Sequence, residues 1–399
     1  MGKGVPILEG STMVSKVEDM NPELPEPESF PYDRFLTVKE KRERFIYEWD
    51  RGLHPGEVPV LIYPSWDMWN DNTCAERQLF LQWNLWGMAT SAEWASDGVF
   101  PHLQPWYGMG LYASAFGCHY VWDGDSAPQT RPIYTRADQV ANIAMPNPMA
   151  SEPMREVLER IRWYRKVTHD QLPICLTDTQ STNDTASLIM EVNEFFMTST
   201  YEPERLELFM NAISDLIIAF SHMQMKEIGP NLSLPGHQML CHPAWSGISV
   251  SDDNMAMLSP KSYEVSAVPY NSRIAEHFDG IALHSCGEIG HNISVQLRTP
   301  RLRQVECSAS VIVRDSDPSP NTPESLRDGY RGSDVIVKVR INKQEVELLD
   351  RLLAPDFKCV LAVTGVETQK ESEEVYRRFK ERISRITATW PDPAATLQY

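Results

Sequence analysis

The amino-acid sequence predicts an α/β protein folded as a single (β/α)8 barrel, a TIM barrel, with an N-terminal extension. From about residue 57, short apolar runs alternate with longer amphipathic stretches, as expected when crossover helices join parallel strands. The chain has 399 residues, of which 42% are hydrophobic, and such barrels routinely exceed about 250 residues as one domain. We therefore expect one barrel over residues 51–399.

The extension covers residues 1–50, where strand-like patterning is weak. Residues 21–28 are rich in Pro and Glu, which disfavours the interior of a regular helix or sheet. We expect this segment to be an arm that lies on the barrel or on a partner subunit.

Eight apolar runs are the predicted barrel strands. They cover residues 58–63, 97–101, 172–178, 238–242, 280–286, 303–307, 335–341 and 359–364. Apolar residues at helical spacing predict helices over residues 152–168, 187–199, 202–226 and 371–386.

Composition excludes several classes of protein. A formal net charge of -18 argues against a nucleic-acid partner, which would need clustered Lys and Arg. Long apolar runs and signal-peptide features are missing, so we expect a cytoplasmic protein that does not span a membrane. The 7 cysteines are spread along a long chain, which disfavours a disulfide framework and leaves thiols for metal binding or catalysis.

Barrel active sites lie at the carboxyl ends of the strands, and the strongest candidate there is His284-Ser285-Cys286, followed by Gly287. Residues two apart point to the same side of a strand, and imidazole nitrogen with thiolate sulfur suits zinc. The alternative is a buried histidine and thiol that only pack at the barrel mouth.

Further ligands are predicted from other strand ends. Cys307 ends the next strand, and adjacent strands lie roughly 4.8 Å apart, so Cys307 is the predicted third ligand; inert packing is the alternative. Cys359 begins the last strand, roughly 16 Å below the rim at about 3.3 Å per residue, which favours a core thiol. Glu367, water or substrate could complete the shell, because a catalytic zinc keeps one exchangeable position.

Aromatic residues follow the first two predicted strands. Such a rim could hold an aromatic or apolar group by stacking, which makes Trp66, Trp69, Trp106 and Tyr107 candidate substrate-binding residues. Packing against the N-terminal arm or in a dimer contact is the alternative.

Three side chains near predicted strand ends are candidate general acids or substrate hydrogen-bonding groups. Asp178 ends the third predicted strand, His242 ends the fourth, and Asp253 follows in the next loop. Ordinary loop solvation or helix capping is the alternative for these residues.

The strand end at His284, preceded by Leu258-Ser259-Pro260 and Val268-Pro269-Tyr270, resembles the uroporphyrinogen decarboxylase superfamily. Within it, His-x-Cys is the mark of zinc methyltransferases that serve corrinoid or coenzyme M systems and of related cobalamin-independent methionine synthases. Those enzymes take a further cysteine from the end of the last strand, where this chain has Thr364-Gly365-Val366. The resemblance allows Cys307 to offset that loss; the alternative is that no zinc is bound.

The resemblance and the residues predict a zinc-dependent methyltransferase. It would move a methyl group between a small methylated substrate and a corrinoid protein or thiol acceptor, with the corrinoid carried by a partner protein. The aromatic rim favours an aryl methyl ether, as in anaerobic O-demethylation, and the family implies a homodimer. The alternatives are a decarboxylating lyase acting on a small acid, with Asp178 or Asp253 protonating a carbanion, and a binding protein without turnover.

Overall fold

The computed structural model describes residues 22–64, 69–122, 124, 127–312 and 319–391. Within these ranges the strands are β1 Val60–Ile62, β2 Tyr120–Val121, β3 Gln129–Thr130, β4 Ile248–Ser251, β5 Ile281–His284, β6 Leu302–Ser308, β7 Ile336–Asn342 and β8 Cys359–Thr364. Six of them form one parallel sheet in the order β1-β8-β7-β6-β5-β4, while β2 and β3 form a separate antiparallel pair.

Helices connect and cover the sheet. They are α1 Tyr32–Asp50, α2 Asp71–Ala75, α3 Arg77–Glu93, α4 Leu111–Ala115, α5 Ala137–Val140, α6 Glu152–Val167, α7 Thr182–Ile189, α8 Val192–Tyr201, α9 Glu207–Ile228, α10 Pro260–Ser266, α11 Val268–His277, α12 Ile293–Gln296, α13 Pro323–Tyr330, α14 Leu349–Leu352 and α15 Gln369–Thr387.

Two extended segments close the barrel between β1 and β4. They pair through isolated parallel bridges, in which Leu103 pairs with Ile174 and Gln180 pairs with Ser251 of β4. The backbone N–H of Asp97 also donates to the carbonyl of Val60 in β1 at 2.8 Å. These two segments and the six strands complete a (β/α)8 barrel, which confirms the predicted fold class.

Five of the predicted strands coincide with or overlap β1, β5, β6, β7 and β8, but the predicted strand at 238–242 is wrong. Gln238 has φ of 62°, a left-handed conformation outside the region of extended strands. The fourth strand instead begins at Ile248 and ends at Ser251. The carboxyl end of this strand is therefore followed by Asp252 and Asp253.

Most buried apolar side chains belong to two layers of the barrel. The larger layer lies between the strands and the surrounding helices. The smaller layer lies inside the barrel, below the site described next, and comprises Ile46, Leu61, Leu240, Ile336 and Val360. Helix α1 contributes Ile46, and its last residue, Asp50, lies 3.2 Å from Nζ of Lys358, which precedes β8. The helical part of the N-terminal extension therefore lies against the amino-terminal end of the barrel of its own chain.

One helical stretch, Pro203–Asn231, is long and apolar enough to cross a membrane by length and composition, and 56% of its most apolar window is buried. It contains α9, which packs against α6 and α7. Phe209, Leu216 and Phe220 of α9 are fully buried. This stretch accordingly has the character of a core helix in the outer layer of the barrel.

Candidate active site

Three potential metal ligands meet at the carboxyl ends of β4 and β5. Nε2 of His284 lies 3.1 Å from Sγ of Cys286 and 3.9 Å from Oδ1 of Asp253. Donor atoms of all three residues lie within 4.8 Å of one another. Cys286 and Asp253 are partly exposed, whereas His284 is buried. The arrangement brings the predicted His-x-Cys pair together and adds a carboxylate to it.

Hydrogen bonds fix the position of Asp253, a predicted general acid or substrate hydrogen-bonding residue. Its Oδ1 accepts the backbone N–H of Cys286 at 2.7 Å. The carboxylate of Asp184 accepts the backbone N–H groups of Asp253 and Asn254, at 2.6 and 2.9 Å. The loop after β4 is thereby held against the end of β5, with Asp253 placed as the third donor.

Glu306 of β6 orients the imidazole of His284. The two residues pair in register across β5 and β6, and Nδ1 of His284 is hydrogen-bonded to Oε2 of Glu306. Burial alone would raise the pKa of Glu306, but Arg340 and His284 lower it to about 2. An ionised carboxylate only accepts hydrogen bonds, so Nδ1 carries the proton and Nε2 is left to face Cys286 and Asp253.

The charge of this cluster is balanced by Arg340 of β7, whose Nε lies 2.6 Å from Oε1 of Glu306. Burial would lower the pKa of His284, but Glu306 and Cys286 outweigh it and raise that pKa well above its usual range. These neighbouring groups favour the charged form of the imidazole. A metal ion at Nε2 would take the place of that second proton.

Cys307 does not join this group, and its predicted ligand role is corrected. Side chains alternate across a strand, so Glu306 faces the barrel interior while Cys307 faces the helices. Cys307 is fully buried in the outer apolar layer, close enough to Tyr330 of α13 that burial and the thiol together raise the pKa of Tyr330. The third donor is Asp253 instead.

Two other predicted residues lie away from the three potential metal ligands Asp253, His284 and Cys286, hereafter called the donor group. Glu367 is exposed beyond β8, where its backbone N–H donates to Glu371 at 2.9 Å. The ring of His242 stacks on Tyr47 of α1, with centroids 4.1 Å apart and planes 6° apart. His242 precedes β4 rather than ending it, so it lies at the opposite end of the barrel, and its proposed catalytic role is corrected.

Asp178 lies at the barrel mouth in a buried polar chain. Its carboxylate accepts from Oγ of Ser251 at 3.1 Å and from Nε2 of Gln180 at 3.0 Å, and Nε2 of His237 is 3.9 Å away. Burial lowers the pKa of His237, and the charge of Asp178 opposes that shift. Because Ser251 pairs in register with His284, Asp178 and His237 flank the donor group and can hold a proton there.

A cavity of about 440 Å³ opens beside these residues within the upper part of the barrel. Its lining includes the aromatic side chains Tyr63, Trp69, Phe100 and His102 and the charged side chains Glu306, Lys338 and Arg340. The cavity thus combines an aromatic wall with a charged one.

The predicted aromatic rim is divided between this cavity and the core. Trp69 lines the cavity, and Trp106 is buried behind it with ring centroids 5.2 Å apart. Tyr107 packs under Arg160, whose guanidinium carbon lies 4.7 Å from the ring centroid. Trp66 lies outside the described residues. The structure therefore brings Trp69 to the cavity and uses Trp106 and Tyr107 to support the aromatic wall.

Sequence reasoning did not find Glu306, His237, Lys338 or Arg340. Three of them are charged residues flanked by apolar residues within strands, and Lys338 and Arg340 share one face of β7 because they are two apart. A charged residue between two apolar ones in a predicted strand was the signal available for these three. His237 carried no comparable signal, since it lies in irregular backbone before β4.

The uroporphyrinogen decarboxylase (URO-D) family model matches residues 107–320, more than half of the chain. The chain belongs to the uroporphyrinogen decarboxylase family. The matched range contains Asp178, Asp253, His284, Cys286 and Glu306, which belong to the site just described.

Among solved structures, the chain is similar to a methyltransferase from Methanosarcina mazei. The similarity has a TM-score of 0.61 at 13% sequence identity and covers 86% of this chain and 98% of that one. No curated protein sequence matches the chain. At this identity the structural similarity supports the barrel fold that the family implies.

Proposed function

We propose that this chain is a zinc-dependent methyltransferase of the uroporphyrinogen decarboxylase family. It moves a methyl group between a small methylated substrate and a corrinoid carried by a partner protein, or a thiol acceptor. The observation that carries the proposal is the group formed by Asp253, His284 and Cys286, with donor atoms within 4.8 Å of one another at the barrel mouth.

The donor set fits zinc. Carboxylate oxygen, imidazole nitrogen and thiolate sulfur are its usual ligands, whereas magnesium and calcium prefer oxygen alone. The hydrogen bond from His284 to buried Glu306 is the kind of support that metal-binding histidines receive. Asp253, His284 and Cys286 would hold the ion and leave a position for substrate. When bound, zinc polarises a heteroatom or stabilises a thiolate.

The chain's own residues supply binding and proton transfer. Trp69, Tyr63 and Phe100 offer an apolar surface for an aromatic ring, which favours an aryl methyl ether as donor. Loss of its methyl group leaves an oxyanion that must be protonated. We assign Asp178 and His237 to hold that proton, because they lie together at the mouth next to the strand that carries His284.

The name of the structural neighbour, a methyltransferase, is in keeping with this proposal. A second function, decarboxylation of a small acid, is favoured by the cationic side chains Lys338 and Arg340 in the cavity wall. The donor group distinguishes the two, since cysteine sulfur beside an imidazole is typical of a zinc site, whereas protonation of a carbanion by Asp178 or Asp253 does not require the pair.

The test is methyl transfer by the purified chain to free cob(I)alamin, followed by the absorbance of methylcobalamin. Methoxyarenes, methyl thioethers and methylamines are offered separately, and zinc per chain is measured on the same samples. We expect stoichiometric zinc and transfer from at least one donor class, both lost in Cys286→Ser and both kept in Cys307→Ser. Release of carbon dioxide from small aromatic acids, without bound zinc, would support the lyase and contradict the methyltransferase.

A further inference from the structure

Lys338 of β7 is a buried cation in the cavity wall. It is 6% exposed, its Nζ donates to the carbonyl of Gln238 at 2.6 Å, and that nitrogen lies 5.7 Å from the ring centroid of Tyr63. Lysines are almost never buried without a partner of opposite charge. In the part of the chain that the structure describes, no carboxylate forms an ion pair with Lys338.

The neighbouring carboxylate is already engaged. Glu306 pairs in register with Lys338 across β6 and β7, but its two oxygens contact Nε of Arg340 and Nδ1 of His284. Burial lowers the pKa of Lys338, and Glu306 opposes this only in part. An anion bound in the cavity would favour the charged lysine in the same way.

We propose that Lys338 binds the carboxylate of the substrate, and that the substrate is an aromatic acid with one ring. The carboxylate would meet Nζ, and the ring would lie against Tyr63, Trp69 and Phe100. A volume of about 440 Å³ is typical of pockets for small ligands and has room for one substituted ring rather than a tetrapyrrole. This inference deepens the proposed methyltransferase function by making the methyl donor a methoxybenzoate.

The strand register supports this orientation. His284, Glu306 and Lys338 are in register on the adjacent strands β5, β6 and β7. Two interstrand spacings separate the backbones of His284 and Lys338 by roughly 10 Å, and both side chains extend towards the interior. A benzoic acid held at Lys338 can therefore present a methoxy group on the far side of its ring to the donor group at His284.

Isothermal titration calorimetry with 4-methoxybenzoate and with neutral 4-methoxybenzyl alcohol tests the inference. We expect the intact protein to bind the acid at least about tenfold tighter than the alcohol, a difference of about 1.4 kcal/mol, because the acid makes a charge-assisted contact. Lys338→Met should remove that preference, and Lys338→Arg should keep most of it. Zinc content and the thermal unfolding midpoint of each variant serve as folding controls.

Equal affinity of the intact protein for acid and alcohol, binding of neither, or an unchanged preference in Lys338→Met would overturn the inference. If Lys338→Met does not fold, Lys338→Gln, which also removes the charge, takes its place in the same titrations. Cys286→Ser separates this inference from the proposed function, because it should lose zinc and methyl transfer yet keep the preference for the acid. A preference that depends on Lys338 in a protein without zinc would preserve the carboxylate site and reject the methyltransferase.

Discussion

Glu306 and Cys307 are adjacent in β6 but lie on opposite faces of the strand, and one face is charged whereas the other is apolar. On the inner face Glu306 contacts His284 and Arg340. On the outer face Cys307 is buried in the apolar layer beneath the helices, near Tyr330. A thiol on the strand next to the proposed metal-binding pair is therefore not a ligand by its residue type alone. The face of the strand on which it lies decides.

The same division continues on β7. Lys338 and Arg340 face the cavity, while Val337 and Val339 lie in the outer apolar layer. The inner face is charged and lines the cavity, whereas the outer face is apolar and packs against the helices. Substitutions on the two faces should accordingly separate function from stability.

The largest expected effect is on zinc affinity, which should depend on Cys286 and not on Cys307. Cys286→Ser should weaken zinc binding by more than the about 10- to 100-fold typical of residues that only orient a ligand, because it removes a donor atom. Cys307→Ser should leave zinc affinity unchanged. Competition with a chromogenic chelator measures both, and zinc loss in Cys307→Ser would place that thiol in the metal shell.

The next effect concerns Glu306. Glu306→Gln keeps the shape of the side chain but removes the charge that holds Nδ1 of His284 protonated, so zinc affinity should fall by about 10- to 100-fold. The same substitution leaves Arg340 with less compensation, so the free energy of unfolding should also fall, by about 3 kcal/mol. Glu345→Gln, at another acidic residue of the barrel mouth, is the matched control for zinc affinity. Unchanged zinc binding in Glu306→Gln would show that this carboxylate does not support the ligand.

Substitutions on the outer face of β6 should change the free energy of unfolding. Cys307→Ser places a hydroxyl in the apolar layer and should lower the free energy of unfolding by about 1–3 kcal/mol, whereas Cys307→Ala should cost less because it introduces no polar group. Urea unfolding of the metal-free proteins isolates this effect. Serine tolerated as well as alanine would argue against burial of this side chain on the apolar face.

The smallest effect is expected at the amino-terminal end of the barrel. His242→Ala removes a stacked contact with Tyr47 of α1, worth about 0.5–1.5 kcal/mol, and should leave methyl transfer unchanged. His237→Ala, at the mouth, should slow methyl transfer. If His242→Ala abolished turnover instead, the assignment of His242 to the end of the barrel away from the active site would be wrong.

These contrasts explain what the sequence could reveal. Alternating apolar runs predicted the barrel because strands and helices differ in hydrophobic period, and the His284 and Cys286 pair stood out because both lie where a strand ends. His242 was misassigned because an apolar run can be interrupted by left-handed backbone, as at Gln238. Cys307 was misassigned because its face depends on strand register, which a shift of one residue reverses.

Contacts between residues distant in sequence could not be predicted from hydrophobic period and residue type. The loop after β4 reaches β5 because Asp184 holds the backbone of Asp253, and Glu306 reaches His284 through pairing of β5 and β6. Composition and spacing carry no information on these pairings. The sequence places Asp253 in a loop near the barrel mouth, but its hydrogen-bond partners can be identified only from the folded structure.

X-ray absorption at the zinc edge of the purified protein tests the central claim most directly. The account predicts bound zinc with one sulfur ligand, at about 2.3 Å, and otherwise nitrogen or oxygen ligands at about 2.0–2.2 Å. Cys286→Ser should remove the sulfur signal together with most of the zinc. Two sulfur ligands, or a properly folded protein that binds no zinc, would contradict the site formed by Asp253, His284 and Cys286.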